Sequence, residues 1–282
     1  MHIVTDTCAY FAVPRFAKAH NVTVLPIRIK LGEDLVREDE ITTLELFEAI
    51  ATRGVTPTLV PPTPQEFAAA FEAIARQDDL IMAIHCTGQL CPLPQNARLG
   101  ADMVRGRTTV HVIDTGSVAL GQGLVVEEAV KAAEAGLTLE DAIRLARGKI
   151  HQLYSVFFSE HPAYLGRAGQ LGAAHALIGQ MLDVKPILSL EEGEFVPMEK
   201  AQTRANALEK LAEFSVEVTE IERGAILQAD PARTAETRQL LDLLASEGSD
   251  YDWPVAPLAP SLGVLLGPGA MGIMISEGAA TE

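Results

Sequence analysis

The stretch that decides the fold is YLGRAGQLGAAHALIGQMLDVKPILSL, residues Tyr164–Leu190. Apolar side chains recur at helical spacing over residues 171–182, which predicts a helix with one buried face. This helix is expected to end before Pro186, because proline lacks an amide hydrogen and disfavours the α conformation in the residue that precedes it. Residues 187–190 then alternate in polarity, which is typical of a strand. The stretch therefore predicts a glycine-rich turn, a helix and a strand in succession.

Glycines recur through this stretch at Gly166, Gly169, Gly172 and Gly179. Glycine lets two backbones approach closely, and it also lets a ligand reach the unpaired amide groups at the start of a helix. The spacing alone favours close backbone packing, and the ligand interpretation stays open beside it.

Length and composition limit the classes of protein that this sequence can encode. A chain of 282 residues with 48% hydrophobic content predicts two domains with substantial cores. The net charge of −16 argues against nucleic acid or an anionic membrane surface as partner, because both select a basic face. The chain starts with a strand pattern rather than a signal peptide, and no apolar run approaches the roughly 20 residues of a membrane span.

The cysteines Cys8, Cys86 and Cys91 lack the spacing of a metal site, and no metal-ligand cluster is evident among the 7 histidines. Their odd number, without a secretory segment, predicts reduced thiols and a cytoplasmic location. Residues 267–269, Gly-Pro-Gly, lack the Lys-Ser/Thr pair that completes a phosphate loop. No dinucleotide fingerprint follows the first strand. We therefore expect neither a metal nor a cofactor.

Strand and helix patterns alternate along the first half of the chain, which predicts a largely parallel α/β sheet. Strands are predicted at His2–Thr5, Val22–Leu31, Leu80–Ile84 and Thr109–Ile113. From about residue 153 the pattern changes, and we expect a domain of residues 1–155 followed by one of residues 156–282. In the second domain, strands are predicted at Tyr154–Phe158, Ala225–Gln228, Val264–Leu266 and Gly272–Ile275.

Helix starts are marked by capping residues. Thr63 is predicted as an N-cap, with Pro64 in the first turn and Glu66 completing a capping box. Asp230, followed by proline, is predicted to cap a helix that ends near residue 245. Asp6, at the end of the first strand, is interpreted either as a functional acid or as a cap of the next helix.

An ordered set of short motifs resembles the DegV family of bacterial fatty-acid-binding proteins. That family carries Tyr-Leu-x-x-Gly-Gly-Arg-Ile, an apolar helix and Leu-x-Ile-Lys-Pro-Ile-Leu; here Tyr164-Leu165, Gly169 and residues 182–188 match. The resemblance runs from residues 3–6 to residues 267–269, nearly the whole chain. It implies a parallel sheet flanked by helices, a second α+β domain, and a long-chain lipid in a tunnel between the two domains.

The resemblance also implies a lipid head-group site, which this sequence alters. The hydroxyl residues that hold the lipid carboxylate in the family are replaced by Leu59 and Val60, and a serine is replaced by Cys91, whose thiol is a weaker donor. Leu265 stands in place of a histidine and Gln170 in place of an arginine. Because a buried carboxylate without donors is costly, we expect a less polar head group or other residues that hold it.

Four further polar residues are candidates for that task, although each is more commonly a cap, a turn residue or a surface charge. They are Thr63, Thr87, Gln95 and Arg204. The expected lipid-binding set is Leu59, Val60, Thr63, Cys91, Gln95, Gln170, Arg204 and Leu265.

The resemblance implies a carrier that presents an acyl chain to a separate fatty acid kinase subunit and is not itself an enzyme. Two alternatives stay open. One is an acyl hydrolase or transferase that uses Cys91 as nucleophile and His85 as base, although no oxyanion arrangement is visible around Cys91; Cys91 is otherwise a small residue lining a tunnel. The other is a sensor module whose ligand changes its contacts with a protein partner.

Overall fold

A computed structural model of the chain describes residues 1–167 and 184–278. The helix predicted over residues 171–182 lies outside the described residues, as do Gly169, Gly172, Gly179 and Gln170. The chain divides into two compact units. The first unit comprises Met1–Glu40 and Leu59–His151, and the second comprises Ile41–Thr58 and Gln152–Glu282.

Strands and helices are numbered along the described residues. The strands are β1 His2–Asp6, β2 Thr23–Leu25, β3 Arg28–Leu31, β4 Asp34–Arg37, β5 Thr58–Val60, β6 Leu80–His85, β7 Thr109–Asp114, β8 Leu153–Phe158, β9 Lys185–Glu191, β10 Glu194–Ala201, β11 Ile221–Gln228, β12 Val255–Pro257 and β13 Met271–Glu277. The helices are α1 Phe16–Ala19, α2 Thr43–Arg53, α3 Pro64–Ile74, α4 Leu93–Met103, α5 Ala119–Glu134, α6 Leu139–Ile150, α7 Pro162–Arg167, α8 Arg204–Ser215, α9 Ala235–Ser246 and α10 Pro260–Leu266.

The first unit is built on a parallel sheet of order β2-β1-β6-β7. β6 is apolar from Leu80 to Ile84 and is buried along nearly its whole length, as expected for a strand covered on both faces. A small sheet of order β4-β3-β5 accompanies it. The α/β class predicted from the alternation of elements is confirmed, and so is the flanking of the parallel sheet by helices.

The second unit contains a mixed sheet of order β10-β9-β8-β13-β11-β12, in which only the β11–β12 pair is parallel among the described strands. Its core packs α8 and α9 against the sheet, through side chains that include Phe158, Leu211, Ile226 and Trp253. This confirms the α+β class predicted for the second part of the chain.

The segment Ile41–Thr58 leaves the first part of the chain and joins the second unit. Within that unit, Thr43 donates a hydrogen bond from its hydroxyl to the Leu258 carbonyl. A Cβ at Gly263 of α10 would lie 2.8 Å from the Thr43 side chain, so the glycine lets α2 and α10 approach closely. The division predicted at residue 155 did not include this excursion, because nothing in the local pattern of α2 indicates which partner it packs against.

Three predicted elements differ in the structure. The strand predicted at Val22–Leu31 is two strands, β2 and β3, because Pro26 lies between them and cannot donate a ladder hydrogen bond. The run Val264–Leu266 belongs to helix α10, because a short apolar run fits a buried helix as well as a strand, and Pro260 opens that helix. The helix predicted to start at Asp230 begins at Ala235 with Thr234 as its cap. Asp230 instead accepts the Ala232 amide in a local turn. The capping box at Thr63 is confirmed, with both of its hydrogen bonds present.

Across the described ranges 1–167 and 184–278, every helix is too short or too polar to cross a bilayer.

Candidate functional site at the carboxyl edge of the parallel sheet

Asp6 lies at the carboxyl end of β1 and accepts four hydrogen bonds inside the first unit. Its Oδ2 accepts from His85 Nδ1 at 2.9 Å, from the Cys86 amide at 3.2 Å and from Gln122 Nε2 at 3.0 Å. Its Oδ1 accepts from the Cys8 amide at 3.1 Å. Asp6, His85 and Gln122 are each 0% exposed. The carboxylate therefore ties two strands and a helix together in the interior.

The fold brings these groups together for simple reasons. β1 and β6 are parallel neighbours, so their carboxyl ends, with Asp6 and His85, meet at one edge of the sheet. Helix α5 approaches this edge because Gly123 has no side chain: a Cβ there would lie 1.9 Å from the Tyr10 carbonyl oxygen. That approach delivers Gln122 to Asp6. Of the two interpretations of Asp6, the helix cap is wrong, since the N-cap of α1 is Arg15.

Two buried acceptors in this cluster have no hydrogen-bond partner among the described residues. They are His85 Nε2 and Gln122 Oε1. His85 donates from Nδ1 to Asp6, which leaves Nε2 as an acceptor, and its ring meets Phe67 edge-on at a centroid distance of 5.0 Å. An unpaired buried acceptor costs about 1–3 kcal/mol. This edge of the sheet can therefore accept further hydrogen-bond donors.

All three cysteines are buried, carry no disulfide and lie near Asp6. A hydrogen bond with the Cys8 side chain, burial and the nearby Asp6 charge raise the pKa of the Cys86 thiol. Burial and the Asp6 charge likewise raise the pKa of the Cys91 thiol. Because only the thiolate is a strong nucleophile, the Cys86 and Cys91 side chains are held in their unreactive form.

The geometry does not assemble the Cys91–His85 pair that a hydrolase or transferase would need. His85 turns Nδ1 to Asp6, and its Nε2 has no partner within the described part of the chain, Cys91 included. The Asp6–His85 pair has the chemical form of an oriented base, but no nucleophile is placed at its free nitrogen. The arrangement therefore does not favour the enzyme alternative.

The predicted head-group residues of the first unit lie in and after β5 and around the start of α4. Leu59 and Val60 are partly buried in β5, and Cys91 is buried in the turn before α4. Thr63 is exposed and uses its hydroxyl in the capping box, donating to Glu66 at 2.9 Å. Gln95 is exposed on α4. Thr63 can reach a ligand only at the expense of its helix cap.

Thr87 belongs to the turn that follows β6, where it is buried. Its amide donates to the Ser117 carbonyl at 2.9 Å, and its hydroxyl oxygen accepts from the Gln89 amide at 3.2 Å. These contacts hold the turn that leads to Cys91. Thr87 acts as a turn residue, which is the role that such a residue most commonly has.

Arg204 of the second unit is held in an ion-pair network. Its guanidinium donates to the Glu236 carboxylate, to Glu160 at 3.0 Å and to the Gly269 carbonyl at 2.7 Å, and it lies over the Phe158 ring. Burial opposes its charge, but the hydrogen bonds with Glu236 and Glu160 outweigh that effect and raise the pKa of Arg204. The side chain therefore already has its anionic partners.

The remaining members of the predicted set are Leu265 and Gln170. Leu265 is buried in α10, where it contributes an apolar side chain. Gln170 lies outside the described residues.

Sequence reasoning placed Asp6 at a strand end but missed the cluster around it. Gln122 stands in an apolar segment between two glycines, and that pattern is the one local signal that pointed to a buried amide. Cys8 and Cys86 are far apart in sequence and meet only through the β1–β6 pairing. The spacing of these two cysteines along the chain therefore does not predict that they meet.

Comparison with known proteins gives matches over nearly the full length of the chain. A family model described as "Uncharacterised protein, DegV family" matches residues 1–278. A "DegV domain-containing protein" of Streptomyces coelicolor is 31% identical over 278 residues, covering 98% of each chain.

Two solved structures share the fold at comparable similarity. A fatty-acid-binding DegV family protein from Thermus thermophilus is 28% identical with a TM-score of 0.83, covering 98% of this chain and 99% of its own. DegV of Bacillus subtilis, described as a fatty acid binding protein, is 26% identical with a TM-score of 0.83 and the same coverage. With the family model and the Streptomyces relative, these matches agree with the motifs at both ends of the chain, and the protein belongs to the DegV family.

Proposed function

We propose that this protein binds a long-chain fatty acid and acts as its carrier. The observation that carries the proposal is membership of the DegV family over residues 1–278. The relatives from Thermus thermophilus and Bacillus subtilis, both above 25% identity, are described as fatty acid binding. The raised pKa values of the Cys86 and Cys91 thiols support a binding role rather than nucleophilic catalysis.

The head-group site of this carrier is proposed to lie in the first unit at Leu59, Val60 and Cys91. Two partly buried aliphatic side chains and a buried thiol offer a carboxylate no strong donor. Thr63, the nearest hydroxyl after β5, is already engaged with Glu66. We therefore expect the fatty acid carboxylate to be held weakly, with most of the affinity coming from burial of the acyl chain. Leu265 is proposed as a further apolar contact.

Restoring hydroxyl groups tests this assignment. Val60→Thr adds a donor and Cys91→Ser replaces a weak donor by a stronger one. A hydrogen bond to a charged group contributes about 1.5–3 kcal/mol, so each variant is expected to tighten fatty acid binding by about ten- to a hundredfold. Isothermal titration with the delipidated protein measures the affinity. Val24→Thr, which makes the same change at a 37% exposed strand residue, is the matched control and should leave the affinity unchanged. Equal affinity in all three variants and the wild type would show that the fatty acid carboxylate does not bind at this site.

We also propose that the bound acyl chain is presented to a separate fatty acid kinase subunit. The assay supplies that subunit, ATP and a long-chain fatty acid, and it measures acyl phosphate with and without this protein. Product that depends on this protein supports the carrier role. Product formed at the same rate in its absence contradicts it.

A cytoplasmic location is the proposed setting. The three cysteines are free thiols, which is the usual state in a reducing compartment. Fractionation of cells that produce the protein, with reduced thiol counts measured in each fraction, tests the assignment. Recovery outside the cytoplasm, or with oxidised thiols, would contradict it.

A further inference from the structure

Three potential metal ligands converge at the carboxyl edge of the parallel sheet. A carboxylate oxygen of Asp6 and the sulfur atoms of Cys8 and Cys86 all lie within 4.8 Å of one another, and all three residues are buried. Around a tetrahedral Zn²⁺ with bonds of about 2.0–2.3 Å, ligand atoms lie roughly 3.3–3.8 Å apart. Closing the group onto an ion therefore needs shifts of about 1 Å, within the reach of side-chain rotation.

The hydrogen bonds of Asp6 suit a carboxylate that coordinates through one oxygen. Oδ2 accepts three donors, from His85, Cys86 and Gln122, whereas Oδ1 accepts only the Cys8 amide among the described residues. Oδ1 thus keeps a lone pair, while the bonds to Oδ2 fix the orientation of the group. Ligating carboxylates in metal sites are held by outer hydrogen bonds of this kind.

The donor atoms of the cluster also favour a cation. One carboxylate and two thiol sulfurs are buried together within 4.8 Å, and this is a set of ligand types that binds a divalent ion. Binding of the ion displaces the thiol protons, because a coordinating thiol is deprotonated. Thiolate ligands select soft or borderline ions such as Zn²⁺, whereas Mg²⁺ and Ca²⁺ prefer oxygen ligands throughout.

We propose that Asp6, Cys8 and Cys86 bind a thiophilic divalent ion of the Zn²⁺ class, with a fourth coordination position left for water. Cys91 lies outside this group of ligand atoms, although it is buried beside it. The site stands apart from the proposed fatty acid function and does not depend on it.

The experiment uses the full chain and Co²⁺ as a spectroscopic probe for Zn²⁺. Because the ligands are buried, the protein is unfolded with a chelator present, refolded with excess Co²⁺ and desalted. The wild type is expected to retain about one ion per chain and to show thiolate-to-cobalt charge-transfer absorption in the near ultraviolet. Retention of less than about a tenth of an ion, or an ion without this absorption, would overturn the proposal whatever the variants do.

The variants locate the ion. Cys8→Ser and Cys86→Ser are expected to bind Zn²⁺ at least about tenfold more weakly in competition with a chelator, since each removes a thiolate ligand. Cys91→Ser makes the same change at a buried neighbour and is the matched control, which should retain the ion. Circular dichroism checks that each variant is folded. Unchanged affinity in folded Cys8→Ser and Cys86→Ser, or equal loss in all three variants, would contradict the assignment.

Discussion

Asp6 accepts hydrogen bonds from donors near the ends of two strands and on a helix, and it is fully buried. A carboxylate in such a position is stabilised only while its donors stay in place. His85, Gln122 and the amides of Cys8 and Cys86 provide them. The Asp6 side chain therefore joins β1, β6 and α5, and it also fixes the orientation of His85 and Gln122.

Asp6→Asn tests how much the hydrogen bonds of the Asp6 carboxylate stabilise the first unit. The substitution keeps the shape but replaces one acceptor oxygen by a donor that faces the existing donors, so we expect a loss of about 2–4 kcal/mol in the free energy of unfolding. Urea denaturation followed by circular dichroism measures it. Asp102→Asn, which breaks an exposed pair with Arg105, should change stability by less than about 0.5 kcal/mol. Similar losses in both variants would show that the hydrogen bonds of Asp6 stabilise the fold no more than an exposed ion pair does.

Alkylation of the cysteines tests the state of the thiols. Burial and the neighbouring carboxylate favour the protonated form of Cys91, so native protein at pH 7 is expected to react with iodoacetamide far more slowly than free cysteine. In denaturant the rate should return to that of free cysteine. Mass mapping after timed labelling reports each site. Rapid labelling of Cys91 in the native protein would instead favour the enzyme alternative.

At the residue scale, the sequence predicts which positions lie at strand ends but not which side chains meet there. The position of Asp6 follows from one strand and one turn. Its contacts with His85 and Gln122 depend on residues 79 and 116 positions away in the chain. A single sequence contains no signal for such pairings.

Two glycines in neighbouring helices of the first unit are expected to respond in opposite directions to substitution by alanine. Gly123 of α5 faces the Tyr10 backbone, which cannot move aside, and Gly148 of α6 has open space around its missing Cβ. We expect Gly123→Ala to lower the free energy of unfolding by more than about 2 kcal/mol through overpacking. Gly148→Ala should raise it by about 0.5–1 kcal/mol through helix propensity. Thermal denaturation of the two variants distinguishes them, and equal shifts would contradict the close approach of α5.

Element boundaries were predictable where the signal is local. The capping box at Thr63 joins residues three apart, and its helix begins where the pattern indicates. The error at Val264–Leu266 arose because three apolar residues carry no period. The error at Asp230 arose because an aspartate before proline suits a turn as well as a cap.

Acid stability provides a test at the scale of the whole molecule. Burial opposes the charge of Glu160, but hydrogen bonds with Lys185 and Arg204 outweigh it and hold its pKa below the ordinary value of 4.5. A carboxylate with a depressed pKa in the folded state contributes stability above the ordinary pKa, and that contribution is lost as the pH falls through the folded value. The protein should therefore lose stability as the pH falls from about 5 to about 3.

Glu160→Gln should flatten this dependence, because the side chain no longer titrates. Urea midpoints measured across the same pH range in wild type and variant give the comparison. Glu48→Gln, at an exposed position of α2, should leave the slope of the wild type unchanged. If the variant loses stability on acidification as steeply as the wild type, the ion pairs of Glu160 with Lys185 and Arg204 do not contribute to acid sensitivity.

The fold class was predictable from the sequence because alternating strands and helices leave few arrangements. The assignment of α2 to the second unit was not, since it depends on the contact of Thr43 with Leu258 across more than 200 residues of sequence. The lipid-binding set rests on resemblance, and it stays a prediction until a ligand is identified.

Native mass spectrometry of the purified protein, before and after extraction with organic solvent, tests the central claim most directly. We expect a bound mass equal to that of a long-chain fatty acid before extraction, loss of that mass afterwards, and its return on addition of fatty acid. A ligand-free spectrum before extraction, together with no added mass during titration with fatty acids, would contradict the proposed function.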